Sequence, residues 1–120
     1  MQVGFIGLGQ MGLPIAKRVQ NNKLPLRVFD LNMNAHKTFS DTASSLSDFN
    51  NCKYVFTMLP NDTSLKSVCI GKGGLIENIK KGTTVIDLST SSVSAFKEIS
   101  KAFESANVSI IDSPVSGGMI

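Results

Sequence analysis

Short apolar runs alternate with amphipathic stretches along the chain. Val3-Gly4-Phe5-Ile6, Leu26-Arg27-Val28-Phe29, Lys53-Tyr54-Val55-Phe56-Thr57-Met58, Thr83-Thr84-Val85-Ile86-Asp87-Leu88 and Val108-Ser109-Ile110-Ile111-Asp112 read as strands, rich in β-branched and aromatic residues. After the first run, Met11, Ile15 and Val19 recur at helical spacing with Ala16 beside them. Pro14 falls in that helix's first turn, where its missing N–H costs nothing. Before the last run, Val93, Phe96, Ile99, Ala102, Phe103 and Ala106 form an apolar stripe behind Ser91 or Ser92 as N-cap. A shorter helix is predicted from Asn61 or Asp62 through Leu65 and Val68, with a further turn between Gly74 and Ile79. Asn34 to Ser40 is polar and helix-like, and Ser40 to Ser47 reads as a connection. Strands separated by helices predict an α/β fold with a doubly wound parallel sheet, in the order 3-2-1-4-5. No sixth apolar run follows, so the fifth strand is expected to be an open edge and residues 1–120 the first part of a longer protein.

The turn after the first strand carries the most pointed chemistry. Gly7-Leu8-Gly9-Gln10-Met11-Gly12 fits G-x-G-x-x-G between a strand and a helix. There the first glycine permits a tight turn, the second lets backbone N–H groups approach a pyrophosphate, and the third lets the helix pack close. The helix N-terminus adds partial positive charge. Asp30 ends the second strand 21 residues after Gly9. A carboxylate there accepts hydrogen bonds from the adenosine ribose and repels a 2′-phosphate. Leu31 and Asn32 follow, with no arginine to hold such a phosphate. The pattern is that of a Rossmann domain that takes NAD in preference to NADP.

Composition narrows the rest. A chain of 120 residues with 42% hydrophobic content supports one domain with a modest core. The net charge of +3 is scattered, with Lys80-Lys81 as the only lysine pair, so nucleic acid is not an expected partner. No apolar run is long enough for a membrane helix; residues 1–120 are expected to contain no targeting segment, and the compartment stays open. Cys52 and Cys69 lack metal-ligand and C-x-x-C spacing, which predicts two free thiols in a reducing compartment. His36, the single histidine, is expected to be a solvated side chain.

Four segments in order resemble the β-hydroxyacid dehydrogenase family. Gly4-Phe5-Ile6-Gly7-Leu8-Gly9-Gln10-Met11-Gly12 is similar to its N-terminal signature, and Met58-Leu59-Pro60 to the end of its third strand. Asp87-Leu88-Ser89-Thr90 matches D-x-S-T, and Asp112-Ser113-Pro114-Val115-Ser116-Gly117-Gly118 is similar to its substrate segment. The resemblance implies NAD-linked oxidation of a small hydroxy acid. Gly7, Leu8, Gly9, Gln10, Met11 and Gly12 would hold the pyrophosphate and Asp30, with Leu31 beside it, the ribose. Leu59 and Pro60 would line the cofactor's path, Thr90 would sit near the nicotinamide ribose, and Ser116, Gly117 and Gly118 would bind the substrate carboxylate.

Ser64 stands where relatives often carry a cofactor-contacting asparagine, and it has a shorter reach. The family's catalytic lysine lies on a helix beyond Ile120, in an all-helical C-terminal domain, so no catalytic residue is expected within the chain. Lys72, Lys80 and Lys81 fall in loop-like stretches. Some members lack that lysine and serve as binding proteins, a second function class that the chain leaves open. The resemblance further implies a homo-oligomer, in the mitochondrial matrix of a eukaryote or in the cytoplasm otherwise.

Overall fold

The computed structural model describes residues 2–115. Five strands, β1 (Gln2–Ile6), β2 (Leu26–Phe29), β3 (Cys52–Thr57), β4 (Thr84–Asp87) and β5 (Ser109–Asp112), form one sheet. All neighbours are parallel. Helices α1 (Gly12–Asn21), α2 (Asp62–Ile70) and α3 (Val93–Ser105) connect them, with 3-10 turns at Met33–His36, Leu46–Phe49 and Leu75–Glu77. Each predicted strand and helix is present. The central strands read as continuous apolar runs because helices cover both faces of the sheet.

The strand order is β2-β1-β3-β4-β5, which corrects the expected 3-2-1-4-5. β3 pairs with β1, on the side away from β2. The place outside β2 is taken by a single parallel rung, Val28 opposite Thr42. In it the Val28 N–H donates to Asp41 C=O at 3.1 Å and the Ala43 N–H to Val28 C=O at 2.8 Å. The segment around Thr42 is serine-rich and has little apolar surface to bury, so the rung does not grow into a strand. β3 carries Tyr54, Val55 and Phe56 on both faces and takes a central position instead. Counting the rung, six positions lie side by side.

One core layer packs Phe49, Leu65, Cys69, Leu75, Ile99 and Phe103 onto Ile6, Val55 and Val85. On the other face Ala16 of α1 meets Phe5, Leu8, Val28 and Phe39. The inward residues of α1 are Gly12 and Ala16, with Ile15 and Val19 half-buried beside them. Met11 was expected on that face but is 43% exposed, because it stands at the N-cap, one residue before the helix. Cys52 and Cys69 are free and buried, and burial pushes their thiols up to about 11 and about 12. At neutral pH both are therefore unreactive. No helix among the described residues is long and apolar enough to cross a membrane.

Side-chain caps start the later helices. Asn61 Oδ1 accepts from the Ser64 N–H at 2.8 Å, and Ser92 Oγ from the Ala95 N–H at 3.1 Å. Asp62 accepts from the Ser92 N–H at 3.0 Å and so ties the start of α2 to that of α3. That backbone hydrogen bond, then the Ser92 hydroxyl and the Lys66 charge, hold its carboxyl below the ordinary value. A carboxyl depressed in the folded state stabilises at pH above its unfolded value, about 4, and loses the contribution as pH falls further. Asp62→Asn should therefore lower the melting temperature more at about pH 7 than at about pH 3. Melts at both values check this, and an equal drop at each would show that the charge is idle.

Candidate cofactor site

β2 lies on one side of β1 and β3 on the other, so the loops leaving β1 and β3 part at the carboxyl end of the sheet. Open α/β sheets bind ligands at such a switch point. A cleft of about 740 Å³ opens there. Its walls are the glycine turn, the end of β2 at Asp30 and Leu31, the segment Met58-Leu59-Pro60, and one face of α2.

The three glycines of the turn have different reasons to be there. Gly7 adopts φ +105°, and a Cβ on it would run into the carbonyl oxygen of Met58. A Cβ on Gly12 would strike the carbonyl oxygen of Gly7. Gly9 has nothing within 4 Å of the position a Cβ would take, and its φ is not positive. The fold demands the outer two glycines, whereas the middle one keeps space open on the cleft floor. α1 begins at this floor without a cap, since Met11 offers no side-chain acceptor and the first turn holds no acidic residue. Unpartnered amides and the positive end of the helix dipole suit an anion such as a pyrophosphate.

Asp30 forms the wall beside it. Its Oδ2 accepts from the Leu8 N–H at 2.7 Å and its Oδ1 from the Asn32 N–H at 2.8 Å. The carboxylate is half-buried and fixed, with one lone pair on each oxygen left for a ligand hydroxyl. Leu31, 90% exposed, extends the apolar rim past it.

On the opposite side the Leu59 N–H donates to Ser89 Oγ at 2.7 Å. Ser89 is held in turn, because its own N–H donates to Asp87 Oδ1 at 3.0 Å, the oxygen that also accepts from Thr57 Oγ1 at 3.0 Å. Asp87 is fully buried and its Oδ2 has no partner among the described residues. The D-x-S-T segment thus stitches the loop after β3 to the end of β4. Thr57 and Asp87 face each other in the β3–β4 register, the signal in the sequence being polar residues at the ends of apolar strands.

Of the residues expected to meet the cofactor, Gly7, Gly9, Gln10, Met11, Gly12, Asp30, Leu31, Leu59, Pro60 and Ser64 line the cleft. Leu8 gives its amide to Asp30 and buries its side chain in the core, and Thr90 is exposed outside the cleft. Ser64 Oγ donates to Asn61 Oδ1 at 2.9 Å, so its proton is committed to the helix cap. Ser116, Gly117 and Gly118 lie outside the described residues.

Thr63, Ser67, Val68 and Lys72 also line the cleft, and no motif marks them as cofactor contacts. The three-and-four spacing of Ser64, Ser67 and Val68 on α2 is the signal that marks their common face. Lys72 is exposed, as its loop predicts, yet it brings a cation to the cleft wall. His36 corrects an expectation outright. It is 7% exposed, tucked under the end of β2 and 5.9 Å from the ring of Phe29.

Residues 2–120 match the family model for the NAD binding domain of 6-phosphogluconate dehydrogenase. The chain belongs to that family. Its cofactor is a nicotinamide dinucleotide, which fits the open space at Gly9, the uncapped helix and the carboxylate at Asp30. Human mitochondrial 3-hydroxyisobutyrate dehydrogenase is 37% identical over 98% of this NAD-binding chain, which spans 36% of that enzyme. The 2-(hydroxymethyl)glutarate dehydrogenase of Eubacterium barkeri is 33% identical over 98% of the chain and 41% of its own length. Among solved structures, Psf3 in complex with NADP+ and 2-OPP superposes with a TM-score of 0.90 at 25% identity, over 97% of the chain and 43% of Psf3. The domain therefore covers well under half of each relative.

Proposed function

We propose that residues 1–120 are the NAD-binding domain of a dehydrogenase that oxidises a short β-hydroxy acid, with 3-hydroxyisobutyrate the first substrate to test. The observation that carries this reading is the Asp30 carboxylate, locked by Leu8 and Asn32 onto the wall of a cleft whose floor is an uncapped helix. The amides of Gly9, Gln10 and Met11 bind the pyrophosphate, and Asp30 binds the adenosine ribose with Leu31 beside it. Leu59, Pro60 and Ser64 border the path of the cofactor, and Thr90 is assigned to the nicotinamide ribose on the family resemblance. Lys72 adds positive charge to the wall. The cofactor supplies a hydride acceptor, and the chain's own part is to orient it and to exclude water along the apolar wall.

Ser116, Gly117 and Gly118 are assigned to the substrate carboxylate, and the alcohol proton goes to a lysine outside this chain. Identity to the human enzyme and the four matching segments support 3-hydroxyisobutyrate, and with it valine breakdown, a homo-oligomer and a mitochondrial matrix site in a eukaryote. Similarity to the Eubacterium barkeri enzyme supports a second reading, a different small hydroxy acid.

Titrating the full-length protein with NAD and NADP tests the cofactor assignment. NAD should bind at least about tenfold tighter, roughly 1.4 kcal/mol, because a 2′-phosphate would meet Asp30 as a like charge. Asp30→Ala should narrow that gap to about threefold or less, and equal affinities in the unsubstituted protein would remove Asp30 from its role. Turnover of 3-hydroxyisobutyrate set against 2-(hydroxymethyl)glutarate decides between the substrates.

A further inference from the structure

His36 has a place in this site that no motif marks. Alternate N–H groups of β2 point outward, away from β1, and Val28 gives its own to Asp41 at 3.1 Å. In a continuing parallel ladder the next outward amide, that of Asp30, would go to the carbonyl of Ala43. It goes instead to Nε2 of His36, at 3.0 Å. The Asp30 carbonyl lies 3.1 Å from the same nitrogen, so Nε2 accepts from the Asp30 N–H in the tautomer with its proton on Nδ1 and donates to the Asp30 carbonyl in the other. Either way the ring is bonded to the backbone of residue 30.

Two more bonds close the loop. Asp30 Oδ1 accepts from the Asn32 N–H, and Asn32 Oδ1 accepts from the Asn34 N–H at 3.1 Å, which starts the 3-10 turn that swings His36 back under the strand. The imidazole is buried and the bond part-buried, so water reaches this position poorly as a replacement acceptor.

We propose that His36 is a positioning residue for the Asp30 carboxylate, and through it a determinant of the NAD preference. It holds the backbone of residue 30 in line with the strand after the ladder has ended, which aims both carboxylate oxygens at the ribose hydroxyls. The proposal rests on the assignment of Asp30 to the ribose.

The test compares three substitutions in the full-length protein, each titrated with NAD and NADP. His36→Gln can place an amide oxygen near where Nε2 sits. His36→Leu fills the space with no acceptor, and His36→Asn is polar but too short. Gln should keep NAD affinity within about twofold, whereas Leu should weaken it roughly five- to tenfold, the scale of a buried donor left unpaired. NADP affinity should hardly move, so the NAD preference falls by the same factor. Should the Leu variant fail to fold, Asn is expected to show the same loss.

A simple packing role would weaken both cofactors alike, or neither, and Gln would rescue nothing; either result overturns the proposal. Asp30→Ala, run in parallel, separates the two failures. If it leaves the preference intact, the assignment of Asp30 is wrong. If it removes the preference and the His36 variants do not, only the role of His36 falls.

Discussion

Gly9→Val should abolish cofactor binding while leaving the domain as stable as before. The position a Cβ would take is open, and the backbone φ there is one a branched residue can adopt. The added isopropyl group would stand in the space that the turn keeps clear, between the pyrophosphate and the amides that bind it. We expect NAD affinity to fall at least about a hundredfold, roughly 2.7 kcal/mol. The melting temperature should stay within about 2 °C, since surface changes away from packed groups cost little. Calorimetric titration and a thermal melt on the same protein give both numbers. A variant that binds NAD normally would reduce the glycine loop to an ordinary turn.

Gly7→Ala should do the reverse and damage the fold. One methyl group, added two residues earlier, meets the Met58 carbonyl and forces a left-handed backbone on a residue that resists it. The two effects together should cost about 3 to 5 kcal/mol, a large share of the stability of a domain this size. Denaturant unfolding measures it. An alanine variant as stable as the parent would mean that β1 and β3 are less closely packed than described. The two glycines look alike in the motif, and only the contacts around them tell binding from folding.

Most of the fold is legible in the sequence because it is local. The strands are apolar runs, and Asn61 and Ser92 announce their helices. What could not be read depends on partners distant along the chain. The place outside β2 is filled by one rung at Thr42, and a single rung leaves no hydrophobic pattern. With no pattern at that rung, the sequence points to the third apolar run beside β2, whereas it pairs with β1. His36 sits in a polar stretch that gives no hint of burial, since its bond to the backbone of residue 30 arises only where the ladder stops. The glycine turn and Asp30 were found because their spacing mirrors the ligand they fit. Ser89 and Asp87 act through the loop after β3, a link that only the folded chain brings together.

The stitching of the rim has a kinetic consequence. The Leu8–Asp30 bond joins the turn after β1 to the end of β2, and the Leu59–Ser89 bond joins the loop after β3 to the end of β4. The four strand ends are therefore held in two pairs before any ligand arrives. A rim of this kind has already given up the freedom that a mobile loop would lose on binding. An incoming dinucleotide is expected to meet a preformed rim, so that no slow ordering of these two loops should limit its capture. Differences in affinity among variants of this rim then fall on how long the cofactor stays, not on how fast it arrives.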